Sequence, residues 1–239
     1  GFPICVVIVL AGSGLLSLTA AEVGDLPGED VLGAHAPKAV REMLPWLRRH
    51  GASWRRGLQI QEIFPGERGL VALEPLEPKQ ELFSVPIEIT LSSQECARNS
   101  SSWVSRLPEQ KRERMGLSHA LLHLCFLEHF LILKDASRFA PYFQSLPRDL
   151  SHLPLLTQLN MSSLLQGSRL LNEIQKHQRD LETSYDDLSW DLLDFGRLVS
   201  LEDYLFTYCM VESHSHARHE GNVSLPLMVP LVDLVNHRS

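Results

Sequence analysis

Gly66–Ser92, GERGLVALEPLEPKQELFSVPIEITLS, decides the class of fold. Its first residues, Gly66-Glu67-Arg68-Gly69, are turn-like, and apolar residues flank them at extended spacing: Leu58, Ile60 and Ile63 before, Leu70, Val71 and Leu73 after. That is a strand, a turn and a strand. A third extended run, Glu81 to Val85, stops at Pro86 and continues into Ile87 to Leu91, so residues 57–92 are expected to form a small antiparallel sheet. Upstream, Val40, Met43, Leu44 and Leu47 recur at helical spacing between Ala39 and Arg49, which predicts a short amphipathic helix. Downstream, Leu117, Ala120, Leu121, Leu124, Phe126, Leu127 and Leu131 give an apolar face too broad for a surface helix. Pro141 and Pro147 bracket a short connection with Tyr142 and Phe143, and further helices are predicted from about Leu164 to Tyr185 and from Ser200, whose hydroxyl caps with Asp203 three residues on. The tail, Leu225 to Val235, is apolar again and broken by Pro226 and Pro230. Small sheets split by a helical insertion make an α+β protein. The expected divisions are an apolar leader and linker over 1–38, a first sheet-bearing part over 39–112, an inserted helical region over 113–200, and a second sheet-bearing part over 201–239.

The chain has 239 residues, 44% hydrophobic and 21% charged, enough apolar surface for a sizeable core. A formal net charge of −7 gives no general attraction to nucleic acid, so no nucleic-acid partner is expected. The cysteines at 5, 96, 125 and 209 show no CxxC pair, and they read as isolated thiols, mostly in the core. The first residue is Gly1, not Met, and Ile4 to Leu18 followed by Thr19-Ala20-Ala21 resembles the apolar stretch and small-residue cleavage site of a secretory leader. Membrane contact is expected only if that segment is a retained anchor. The sequons at Asn99, Asn160 and Asn222 are usable only in a secretory chain.

No GxGxxG, P-loop, HExxH or GxSxG is present, which removes dinucleotide-binding folds, P-loop NTPases, zincins and α/β-hydrolases from consideration. His119 and His123 are four apart but lack the glutamate of a zinc protease, and both read as packed histidines. His214, His216 and His219 with Glu212 and Glu220 hold the residue types of a divalent-metal site, but the surrounding Ser, Ala, Arg and Gly indicate an exposed loop, and no metal is expected. Asp233 and His237 have no nucleophile in a strained turn to serve. The Gly66–Gly69 turn offers backbone amides and a close approach to a ligand.

Four segments, in order, resemble one family. Gly66–Ser92 is similar to the start of the SET domain in enzymes like plant Rubisco large-subunit lysine methyltransferase; Leu121 to Pro147, with FLEHF and APYFQSLP, is similar to its inserted helical region. Tyr204 to His216 resembles the helix leading into its Ser-Arg motif, and Val229-Pro230-Leu231-Val232-Asp233-Leu234-Val235-Asn236-His237 resembles its PLADxxNH signature, the most specific of the four. The resemblance covers roughly Arg41 to the end and makes 39–112 and 201–239 two parts of a SET domain. It implies S-adenosyl-L-methionine (AdoMet) as cofactor and a protein as substrate. Gly66, Glu67 and Arg68 would lie against the amino-acid portion of AdoMet, Asn236 and His237 would hold it from the other side, and Asp233 would support that segment. His214 stands where the family has the arginine of Ser-Arg, and a neutral imidazole does not reproduce a forked guanidinium pairing with a carboxylate.

The family's acceptor-orienting tyrosine lies downstream of the Asn-His signature, and here the sequence ends at Ser239. The catalytic residue is therefore expected beyond Ser239, and this chain alone is expected to be inactive. The function implied is AdoMet-dependent lysine methylation of a non-histone protein, and intracellular. A protein-histidine methyltransferase, a noncatalytic SET-like binding module, and a secreted or membrane-anchored interaction protein are the alternatives.

Overall fold

The computed structural model describes residues 5–10, 16–21, 32–64, 67–115, 118–156, 165–220 and 223–235. Its strands are β1 (Cys5–Leu10), β2 (Leu16–Ala21), β3 (Ser53–Trp54), β4 (Leu58–Phe64), β5 (Glu67–Ala72), β6 (Glu81–Pro86), β7 (Leu91–Ser92), β8 (Ser215–Glu220) and β9 (Val223–Met228). The helices are α1 (Lys38–Arg49), α2 (Ser93–Ala97), α3 (Trp103–Arg106), α4 (Glu109–Met115), α5 (His119–Leu127), α6 (Ala140–Ser145), α7 (Arg169–Asp191), α8 (Phe195–Leu198) and α9 (Leu201–His214). They form two compact units, a β-rich one of Gly1–Ser92, Arg138–Leu146 and Ser215–Ser239, and a helical one of Ser93–Ser137 and Pro147–His214. Along the chain the units change over after Ser92, Ser137, Leu146 and His214, and within the helical unit α2 and α9 both pack on α5.

In the β-rich unit the strands of residues 57–92 do not form one sheet as expected. β4 and β5 pair only with each other, β6 lies between β1 and β3 in the order β2-β1-β6-β3, and β7 joins β9 and β8. β6 is central, and Leu82 to Pro86 are all buried, so it reads as a continuous apolar run with no alternation. The segment read as a leader is extended and antiparallel, with Cys5–Leu10 paired both to β2 and to β6. No single helix among the described residues is long and apolar enough to cross a membrane. α1 has the predicted amphipathic character: Val40, Met43, Trp46 and Leu47 are buried, and the helix packs on α6.

The helical unit is built round α5, whose residues Leu121 to Leu127 are all buried. Two cysteines expected to be isolated are bonded: Cys96 of α2 and Cys125 of α5 form a disulfide with Cα atoms 5.8 Å apart, across 29 residues of chain. Cys209 is free and buried. Of the two histidines expected to pack, His123 does and His119 is exposed. The helix predicted from Leu164 begins at Arg169, where Ser168 accepts from the amide of Leu170. α9 begins where the sequence predicts: Ser200 Oγ accepts from the amide of Asp203 at 3.0 Å and donates to its carboxylate at 2.7 Å. That reciprocal cap satisfies one of the unpaired amides of the first turn. Ser200→Ala is expected to cost about 1 kcal/mol in urea unfolding, and an unchanged midpoint would show that the first turn is held by packing alone.

Candidate functional site

The site is assembled in the β-rich unit from three stretches of chain. The first is the β4–β5 hairpin, which runs in register from Leu58↔Ala72 to Phe64↔Glu67 with a bulge between Glu62 and Phe64. It sets Arg68 one residue into β5. The second is α6, where the fully buried Tyr142 and Ser145 lie one turn apart. The third is the single 3-10 turn Val232–Leu234, closed by hydrogen bonds donated by the amide of Val232 to Val229 O, of Leu234 to Leu231 O and of Val235 to Val232 O. Val229, Leu231, Val232 and Leu234 are buried, so this apolar stretch is anchored in the core and Asp233 is the polar group it presents. Leu231, which opens the turn, has φ 74° in the left-handed region. A buried leucine held there is strained by about 1–3 kcal/mol, a cost found mainly where a turn must present a functional group.

The three stretches meet through polar bonds. Arg68 Nη1 donates to the carbonyl of Ser145, one of the terminal carbonyls that a helix cannot satisfy internally. Tyr142 Oη donates to Asp233 Oδ2 at 3.2 Å. Ser145 Oγ lies 2.7 Å from the Tyr142 carbonyl and 3.4 Å from Met43 Sδ, fixing α6 against α1. Burial pushes the Tyr142 phenol well above its ordinary value and the neighbouring Asp233 carboxylate adds to this, so Tyr142 stays a neutral donor. Burial also lowers Arg68, while Asp233 and Tyr142 pull the other way and hold the guanidinium charged. A cation and a carboxylate thus face the same buried phenol.

Of the residues singled out from sequence, Arg68 and Asp233 come together here. The strand backbone of Glu67 pairs with Phe64, and Gly66, Asn236 and His237 lie outside the described residues. His214 belongs to the helical unit, where it ends α9 with Nδ1 3.0 Å from Met210 O and 2.9 Å from Ser213 Oγ. With the Nδ1 proton on that carbonyl, the ring caps its own helix. His216 and His219 are not on a loop: both lie on β8. Tyr142 was not singled out as a site residue. Between Phe139 and Phe143 it reads as core, and the one available signal is that a phenol with no wet side must find an acceptor.

No protein-family model matches the chain. N-lysine methyltransferase SETD6 of Bos taurus is 26% identical over 217 residues, 84% of this chain and 47% of that protein. The Xenopus laevis protein of the same name is 23% identical over 217 residues, 83% of this chain and 46% of the relative, and the Homo sapiens one is 25% identical over 183 residues, 71% and 37%. The chain spans about half the length of the curated relatives it matches. Among solved structures, the SET domain of LSMT bound to lysine and AdoHcy matches with TM-score 0.68 and 22% identity over 85% of this chain and 45% of that one. Rubisco LSMT bound to sinefungin and monomethyllysine matches with TM-score 0.68 and 20% identity over the same shares. The chain has the α+β fold of the SET domain, and its sequence is similar to that of proteins named N-lysine methyltransferase SETD6.

Proposed function

We propose that this chain is the cofactor-binding part of an AdoMet-dependent protein-lysine N-methyltransferase with a non-histone protein as substrate. The observation that carries the reading is the meeting of Arg68 and Asp233 at Tyr142. It joins the hairpin after Gly66 to the turn before Asn236, the two segments that the family resemblance gives to AdoMet. The relatives named N-lysine methyltransferases, and the SET domains holding AdoHcy or sinefungin beside lysine or monomethyllysine, support it. The donor set suits the cofactor: the guanidinium of Arg68 complements the carboxylate of its amino-acid end. Gly66, Glu67 and Arg68 then line that end, Asp233 braces the opposite segment, and Asn236 and His237 hold the remainder.

AdoMet supplies an electrophilic methyl group on a sulfonium. The protein has to desolvate and align an amine lone pair with it. A lysine with a reference pKa near 10.4 is about 0.1% neutral at pH 7.4, roughly 4 kcal/mol that the surroundings of the amine must offset. A tyrosine downstream of Ser239 is proposed to orient that amine. The proposed enzyme works inside the cell, as the family resemblance implies, with no nucleic-acid partner and with membrane contact only through a retained N-terminal anchor.

Calorimetric titration of the full-length protein with AdoMet tests the reading. Saturable binding is expected, weakened at least about tenfold, or 1.4 kcal/mol, by Asn236→Ala. A folded protein that binds no AdoMet sinks the enzyme reading. A noncatalytic SET-like module then remains, favoured by His214, whose ring is turned to its own helix where an arginine would reach a carboxylate.

A further inference from the structure

The helical unit contains a group of side chains that methyl transfer does not use. The sulfurs of Cys96 and Cys125 and a ring nitrogen of His129 all lie within 4.8 Å of one another. Cys125 and His129 are four residues apart, the spacing that stacks side chains on one helical face, and Cys96 comes across from α2. Both cysteines are buried, at 2% and 0% exposure, whereas His129 is half-buried, so the group has one side open to entry.

We propose that the thiol form of this pair is a zinc site, with Cys96, Cys125 and His129 as ligands and water in the fourth position. Two thiolates and an imidazole are soft-to-borderline donors and suit Zn²⁺ over magnesium or calcium, which need oxygen. The nearest carboxylate along the helix, Glu128, is engaged elsewhere: its Oε2 accepts from the backbone amide of Trp103 at 3.1 Å. His129 has the support that metal-bound histidines have, because its Nδ1 lies 3.0 Å from Ser137 Oγ. A proton on Nδ1 donated to that hydroxyl leaves the lone pair on Nε2. The Cys96 end is also fixed, its carbonyl accepting from Ser102 Oγ at 2.7 Å. Zn–S bonds of about 2.3 Å in a tetrahedral site set two sulfurs about 3.8 Å apart, so once the S–S bond is reduced the sulfurs move apart to take the metal between them and the nearby His129 ring.

The disulfide and the metal site are alternative states of the same atoms. A two-electron reductant, two molecules of a monothiol such as glutathione, breaks the S–S bond; the two sulfurs take up two electrons and two protons, and the monothiol leaves as its own disulfide. Zinc then displaces the two thiol protons as it binds. In both states α2 is tied to α5.

The test is metal analysis of the full chain made in a reducing cytosol and purified without oxygen in a phosphine reductant. About one zinc per chain is expected, with Cys96 and Cys125 protected from alkylation until a chelator is added. Cys96→Ser and His129→Gln should each leave under a tenth of that zinc; the second removes a half-buried ligand and spares both sulfurs. Cobalt substitution should give a thiolate-to-metal charge-transfer band in the parent and none in either variant. Metal-free protein with both thiols open to alkylation overturns the proposal. So does a Cys96–Cys125 disulfide found by peptide mapping in the same preparation, or zinc retained by His129→Gln.

Discussion

Tyr142→Ala is expected to lower the stability of the protein by about 3–5 kcal/mol, the loss for a large aromatic removed from a packed interior. The ring is fully buried and sits where α6 meets the turn of Asp233. Tyr142→Phe separates the ring from its hydroxyl. It keeps the core filled and removes one hydrogen bond to a carboxylate, so about 1.5–3 kcal/mol should be lost. Urea unfolding of the three proteins reads both numbers. A Tyr142→Phe protein within about 0.5 kcal/mol of the parent would mean that the bond to Asp233 contributes nothing net. On the proposed function, the same variant should also weaken AdoMet binding while Arg68 still holds the Ser145 carbonyl, because it releases the turn of Asp233.

Acid should destabilise the protein steeply from an unexpected source. His123 is fully buried on α5, its Nε2 2.9 Å from Thr207 Oγ1 and its ring against Tyr204 and Tyr208. Burial pushes its pKa down from the ordinary 6.5 to about 3, so it is neutral in the fold. Unfolded, it titrates near 6.5. Between those values the unfolded chain binds the extra proton, so stability falls as pH falls, by about 1.4 kcal/mol per unit. Above 6.5 the group is silent; below about 3 the loss is complete. Unfolding free energies at pH 7 and pH 5 should differ by about 2 kcal/mol from this residue, and the difference should shrink in His123→Phe. An equal slope in the variant would assign the acid sensitivity to other groups.

What could be read in the sequence was what is local in the chain. α1 and the Ser200 cap of α9 stand within a residue or so of their predicted places, because helical period and capping chemistry act over a few residues. Pairing partners were not legible: β7 finds β9, and β6 takes β1 and β3 as neighbours where continuation with β4 and β5 was expected. Nothing in a strand's own residues names its partner when both of its faces are buried. The same limit applied at the site. Arg68 and Asp233 were singled out by motif, but Tyr142, which joins them, has its acceptor 91 residues away. Cys96 and Cys125 lack any short-range spacing that marks a pair. His119 and His123 share a helix and a face, and differ in that His119 stands in the exposed first turn and His123 in the stretch that neighbouring elements bury all round.

The split make-up of the β-rich unit sets an order of events during synthesis. The helical unit has its last residue, His214, before β8 and β9 have been made. Its contacts can therefore close while β7 still lacks β9 and Tyr142 still lacks Asp233. Until those residues leave the ribosome, a carbonyl-binding arginine, a buried phenol and a strand edge wait without the stretch that completes them. Among the described elements, β8, β9 and the turn of Asp233 are thus the last to join the β-rich unit, and until they do the nascent chain is open to proteases and chaperones at β7 and Tyr142.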